Sequence, residues 1–72
     1  MVSLKTLKEY DFNRITDYYE YILLSIVNGQ RKQAETLTKK LSTTQKIDAF
    51  EYLENYPNKA ALECKTLILN SI

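Results

Sequence analysis

The chain has no histidine and no tryptophan, and among its 72 residues there is one cysteine, Cys64, one glycine, Gly29, and one proline, Pro57. Each scarcity closes a class of chemistry. Without histidine there is no ordinary zinc site, no catalytic triad and no Glu-x-x-His pair for a carboxylate-bridged metal centre. One cysteine excludes a disulfide framework, and one glycine excludes a glycine-rich phosphate loop. The longest apolar run, residues 21–27, is broken by Ser25 and falls far short of the roughly 20 residues that span a bilayer. Lys5, Lys8 and Glu9 interrupt the first ten residues, which therefore do not read as a signal peptide. A cytoplasmic protein is expected, with Cys64 a reduced, buried thiol. No cofactor, metal, small-molecule substrate or membrane is implied.

Charge of one sign is also missing. Ten Lys and Arg stand against nine Asp and Glu, a net charge of +1, so the chain as a whole is not drawn to nucleic acid or anionic lipid. The near-neutral total hides a pattern. Residues 1–8 carry +2, residues 9–20 carry −3, residues 31–46 carry +4 and residues 48–63 carry −3. Carboxylate pairs such as Asp17 with Glu20 and Glu51 with Glu54 read as solvated helix surface rather than a tuned acid/base dyad, and the chain is read as non-enzymatic.

What is present is a folding composition. Apolar residues make up 44% and charged residues 26%, which puts the chain among globular rather than disordered sequences. Apolar residues recur at intervals of three and four, so the expected fold is all-α, a small compact bundle of about four helices over approximately 11–28, 30–41, 43–56 and 59–70. Residues 1–10 form an arm or a short helical turn, and 11–72 a single helical domain. Asp11 is expected to cap the first long helix and Asn28-Gly29 to end it. Phe12, Ile15, Tyr19, Ile22, Leu23 and Ile26 make its core stripe. Ala34, Leu37 and Leu41 form a narrow apolar seam on the second helix. Ser42 and Gln45 make a capping box that opens the third, whose core face is assigned to Ile47, Ala49, Phe50 and Leu53. Pro57 ends that helix and Asn58 caps the fourth, with Ala60, Ala61, Cys64, Leu67 and Ile68 on its buried side.

Apolar residues also fall off these core stripes. Tyr18, Tyr21 and Leu24 recur every third residue on the first helix, and Leu62 and Leu69 lie seven apart on the last. A chain this short buries only about 60% of the surface its unfolded form exposes, so association is a common route to stability. Two readings stand for Tyr18, Tyr21 and Leu24: either three neighbours wrap the first helix, or these residues, with Leu62 and Leu69, bind a protein partner or a second copy. Glu9, Asp11, Asp17 and Glu20 surround the tyrosines with only Arg14 in opposition, an environment that repels phosphate and favours protein contact over base stacking. The expected function is a small regulatory, inhibitory or adaptor subunit, such as a phage-type inhibitor of a host complex, that self-associates and docks through an apolar, tyrosine-bearing helix face.

The alternative rests on a basic patch of Arg31, Lys32, Lys39, Lys40 and Lys46. Residues 34–47 pair a leucine-spaced helix with a polar helix start and the apolar Ile47, and this stretch resembles the core of a helix-turn-helix protein. The resemblance implies nucleic-acid binding through the basic second helix. Ser42 stands where that motif has a turn glycine, and Asp48, Glu51 and Glu54 lie on the helix that would meet phosphate. Gly29, Ala34 and Leu41 give a looser similarity to half of a tetratricopeptide hairpin, which implies a helical hairpin only, since one copy makes no solenoid.

Overall fold

The computed structural model describes all 72 residues and is wholly helical, with five helices: α1 (Leu4–Glu9), α2 (Ile15–Val27), α3 (Arg31–Lys39), α4 (Thr43–Leu53) and α5 (Lys59–Asn70). The additional helix is α1. It starts at Ser3, whose hydroxyl accepts the Thr6 amide at 3.3 Å, and it ends in a Schellman turn. In that turn the Asp11 amide bonds the Lys8 carbonyl at 3.0 Å and the Phe12 amide bonds the Leu7 carbonyl at 2.8 Å. Asp11 therefore closes α1 instead of opening the next helix. Its φ of 64° is a left-handed conformation that aspartate tolerates better than most side chains. Gly29, at φ 76°, repeats the device after α2, with Gly29 N to Ile26 O at 3.0 Å and Gln30 N to Ser25 O at 2.7 Å.

Helix α2 begins four residues later than the pattern suggested. Asp17 reaches back from its third position to accept the Arg14 amide at 3.2 Å and the Asn13 amide at 3.3 Å, satisfying donors that a helix start leaves free. The box at Ser42 forms as expected: Ser42 Oγ accepts the Gln45 amide and Gln45 Oε1 accepts the Ser42 amide. Helix α4 stops at Leu53, because Pro57 disfavours helical backbone at Tyr56 and the chain tightens into a Leu53 O to Tyr56 N turn. Asn58 Oδ1 accepts the Ala61 amide at 2.7 Å and caps α5, which has the expected span.

Helix α2 lies at the centre of the packing, against α3, α4 and α5, while α5 also meets α3 and α4. One core joins Val2 and Leu7 to Tyr18, Tyr19, Ile22 and Leu23 of α2, to Ala34, Leu37 and Leu41, to Ala49 and Leu53, and to Ala61, Cys64, Leu67 and Ile68. Residues 1–10 are thus built into the core through Val2 and Leu7. No buried side-chain nitrogen or oxygen lacks a hydrogen-bond partner, so burial of Ser25 and Thr38 costs little: Thr38 Oγ1 donates to Ala34 O, and Ser25 Oγ donates to Tyr21 O while accepting from Gln33 Nε2.

Tyr18, Ile47 and Lys46 differ from the pattern for geometric reasons. Residues three apart on a helix drift by about 60°, so Tyr18, Tyr21 and Leu24 spiral from the core to the solvent instead of sharing a face. Tyr18 is fully buried, Tyr21 half-buried and Leu24 half-exposed. Ile47 is two residues, about 200°, from the core residue Ala49, and is 50% exposed rather than internal. Lys46 lies about 60° from Ala49, within the buried sector, and only 9% of it is exposed.

Candidate partner-binding surface

The Schellman turn after α1 folds Phe12 back against α2 and assembles an aromatic cluster. Tyr10 and Phe12 stack with centroids 5.7 Å apart, Phe12 meets Tyr21 edge-on at 5.6 Å, and Tyr10 meets Tyr18 edge-on at 5.9 Å. Offset and edge-on pairs of this kind contribute about 0.5–1.5 kcal/mol beyond their buried area. Tyr18 is the floor of the cluster. Its phenol donates to the Leu37 carbonyl at 2.7 Å, tying α2 to α3, and burial raises its pKa well above the ordinary tyrosine value. The structure thereby removes Tyr18 from any contact surface.

The outer side of the cluster is a cleft of about 350 Å³ lined by Phe12, Asp17, Glu20, Tyr21 and Leu24. Its lining is apolar and acidic, and the exposed Arg14 lies beside it with Nη2 3.7 Å from Asp17 Oδ1. Glu20 is held from one side, where Tyr56 Oη donates to its Oε1 at 2.9 Å. That phenol also lies 3.1 Å from Tyr52 Oη, and Tyr52 packs against Tyr19 with centroids 5.9 Å apart. Tyr19 donates to Asp48 Oδ2 at 2.8 Å, and its pKa is raised by burial and then by that hydrogen bond. All six tyrosines thus take part in internal packing or hydrogen bonding, and Tyr21 is the one whose ring also borders both this cleft and a second cleft of about 350 Å³ towards Gln33, Thr36 and Lys40. A third cleft, about 540 Å³, lies between the N-terminal segment and the start of α2, with Leu4, Lys5, Arg14 and Ile15 on its wall.

The other candidate residues are dispersed. Leu62 and Leu69 are 60% and 57% exposed on the outer side of α5. Arg31, Lys32 and Lys39 are exposed on α3 and Lys40 at its C-cap; Arg31 Nε approaches Glu35 at 3.9 Å, and Lys40 Nζ lies 3.5 Å from Tyr10 Oη. Lys46 does not belong to this basic patch. Its stem is covered by the core and its ammonium donates to the Ser71 carbonyl at 2.8 Å, at the C-terminal end of α5, where a helix dipole favours a cation. On α4, Asp48, Glu51 and Glu54 are all exposed, so the helix that the helix-turn-helix resemblance would place in a DNA groove presents three carboxylates. Cys64 is fully buried and its thiol is pushed up to about 12 by desolvation, which makes it unreactive.

Sequence reasoning did not find Phe12 as a wall of the cleft, because its place depends on the Asp11 turn. A signal was available: aspartate followed by an aromatic, directly after a short apolar repeat, suits a Schellman ending as well as a helix start. Compared with known proteins, the chain has no significant match to any family model, curated protein or solved structure. No helix is long and apolar enough to cross a membrane.

Proposed function

We propose that this protein is a small, non-enzymatic, cytoplasmic protein-binding module, a regulatory, inhibitory or adaptor subunit that occludes part of its partner. The observation that carries this reading is the Phe12, Tyr21 and Leu24 cleft, bounded by Asp17 and Glu20 and open to solvent. An apolar floor with anionic rims, of which Asp17 is shared with the exposed Arg14 at 3.7 Å and Glu20 has no basic partner, suits a partner segment that brings apolar side chains flanked by lysine or arginine. The aromatic faces add cation–π attraction, and their backing by Tyr10 and Tyr18 limits the side-chain freedom lost on docking. The sequence supports a non-enzymatic role, since it supplies neither histidine nor an exposed thiol for catalysis.

The test is affinity capture from the native host with the tagged wild-type chain and with Leu24→Arg. Leu24 is 51% exposed, so the substitution leaves the core intact while placing a cation in a cation-seeking cleft. A partner retained by wild type and lost by the variant, with unchanged helical circular dichroism, is the expected result. Equal capture by both proteins removes this cleft as the binding surface.

A further inference from the structure

Helices α4 and α5 form an antiparallel hairpin whose register is fixed at two points: Lys46 Nζ bonds Ser71 O at 2.8 Å, and the Lys65 ammonium sits 5.6 Å above the Phe50 ring. Continued along the two antiparallel helices, this register places Ile47 level with Leu69, and Glu54 level with Leu62. On the outer side of α5, residues 62, 65 and 69 follow the three-four spacing of a coiled-coil seam, with Ile72 just past the helix end, and on α4 residues 47 and 50 are three apart, with Glu54 at the C-cap four further on. Ile47, Leu62, Leu69 and Ile72 are 50–62% exposed, and Phe50 is half-buried. Two antiparallel helices with adjacent, uncovered seams are one half of a four-helix bundle. Asp48 and Tyr52, which meet or pack against Tyr19, lie on the opposite flank of α4, so this face is distinct from the Phe12 and Tyr21 cleft.

We infer that the face is covered by a second copy of this chain, the two α4–α5 hairpins packing about a two-fold axis into a four-helix bundle. The charges on the seams favour a copy over an unrelated partner. Lys65 is the only cation on them, and Glu54, with Glu51 beside it, supplies the anions. A two-fold arrangement brings each Lys65 to the other copy's glutamates, so the pairing is made twice and the face is complementary to itself. Its size bears on how stable the dimer can be. The 11 residues of α4 span about 16 Å at 1.5 Å per residue, and two helices side by side are about 20 Å across. The footprint is on the order of 300 Å² in projection, below the standard interface of about 800 Å² per partner. A contact this small points to a weak, reversible dimer. The inference shares with the proposed function only the premise that exposed apolar surface is contact surface.

Sedimentation equilibrium of the full chain from about 10 μM to about 1 mM tests it, a range that reaches weak association. Wild type shows a reversible monomer–dimer equilibrium, and Leu69→Asp or Ile47→Asp weakens it by about tenfold or more with circular dichroism unchanged. Lys65→Glu weakens it as well, and adding Glu54→Lys to the same chain restores it. A strict monomer at the highest concentration, a dimer indifferent to Leu69→Asp, or a failure of the double charge exchange to recover association overturns the arrangement. Leu24→Arg leaves the dimer intact, so loss of the dimer and loss of the partner-binding cleft are read separately.

Discussion

Gln45 holds α1 to the rest of the molecule, and replacing it with glutamate isolates a single hydrogen-bond donor. Its Oε1 accepts from the Ser42 amide at 3.0 Å and from the Val2 amide at 3.0 Å, while its Nε2 donates to the Val2 carbonyl at 2.7 Å. Gln45→Glu preserves both acceptor roles, and glutamate is at home at the third position of a capping box. What changes is that an acceptor now faces the carbonyl of Val2, a residue only 3% exposed. Leaving such a group without a donor costs about 1–3 kcal/mol. The negative charge near the α4 N-terminus returns about 0.3–1 kcal/mol. The expected net loss is about 1–2 kcal/mol, a fall in Tm of roughly 5–15 °C for a domain of this size. Protonation supplies the missing donor, so folding favours the protonated carboxyl and raises its pKa above the unfolded value of about 4.3. The stability of the variant is accordingly whole below that value and lost as pH rises through the folded pKa. Thermal denaturation of wild type and variant, side by side at pH 7 and pH 3.5, reads this as a difference in Tm that is large at pH 7 and closes in acid. A difference that is the same at both pH values, or absent at pH 7, refutes the assignment of the Val2 carbonyl to the Gln45 amide.

The left-handed turn after α2 gives a second expectation: Gly29→Ala meets no atom within 4 Å of the added Cβ, so its cost is conformational alone, about 1–2 kcal/mol, measurable by urea denaturation. Alkaline pH provides a third. Cys64 is pushed from 9.0 to about 12, and Tyr18 and Tyr19 are raised from 10.0, so each contributes stability that is full below its unfolded value. Chemical denaturation midpoints should therefore decline from about pH 9 upward as the unfolded chain ionises first, and Tyr18→Phe should lessen the slope above pH 10. A thiol reagent at pH 8 should label Cys64 at the rate of opening of the fold rather than on mixing; prompt labelling would contradict its burial.

The local grammar of the chain carried its helical order. Ser42 with Gln45, Asn58 and Gly29 act over a few residues through the chain's own amides and carbonyls, so their positions in the sequence suffice to place helix ends. The seam of Ala34, Leu37 and Leu41 and the buried side of α5 follow from a period of 3.6 with no knowledge of neighbours. Asp11 was ambiguous for the same reason, since a carboxylate can begin a helix and a left-handed residue can end one, and only the docking of Val2 and Leu7 into the core decides that α1 exists to be ended.

The candidate surfaces depended more heavily on the fold. Leu24, Leu62 and Leu69 are exposed because they lie far around their helices from the buried residues, which spacing alone anticipates. Tyr18 is buried because α3 brings the Leu37 carbonyl within 2.7 Å of its phenol, and Lys46 leaves the basic patch because the end of α5 offers the Ser71 carbonyl. Both facts arise from contacts 19 and 25 residues apart, where no local rule reaches. The helices and most of their ends were legible in the chain alone, because short-range hydrogen bonding and a 3.6-residue period are local properties of the sequence. Only the packing of the helices buries Tyr18 and Tyr19 while leaving the other four tyrosines half-exposed, because a helix states the angle of each side chain but not which neighbour will stand there.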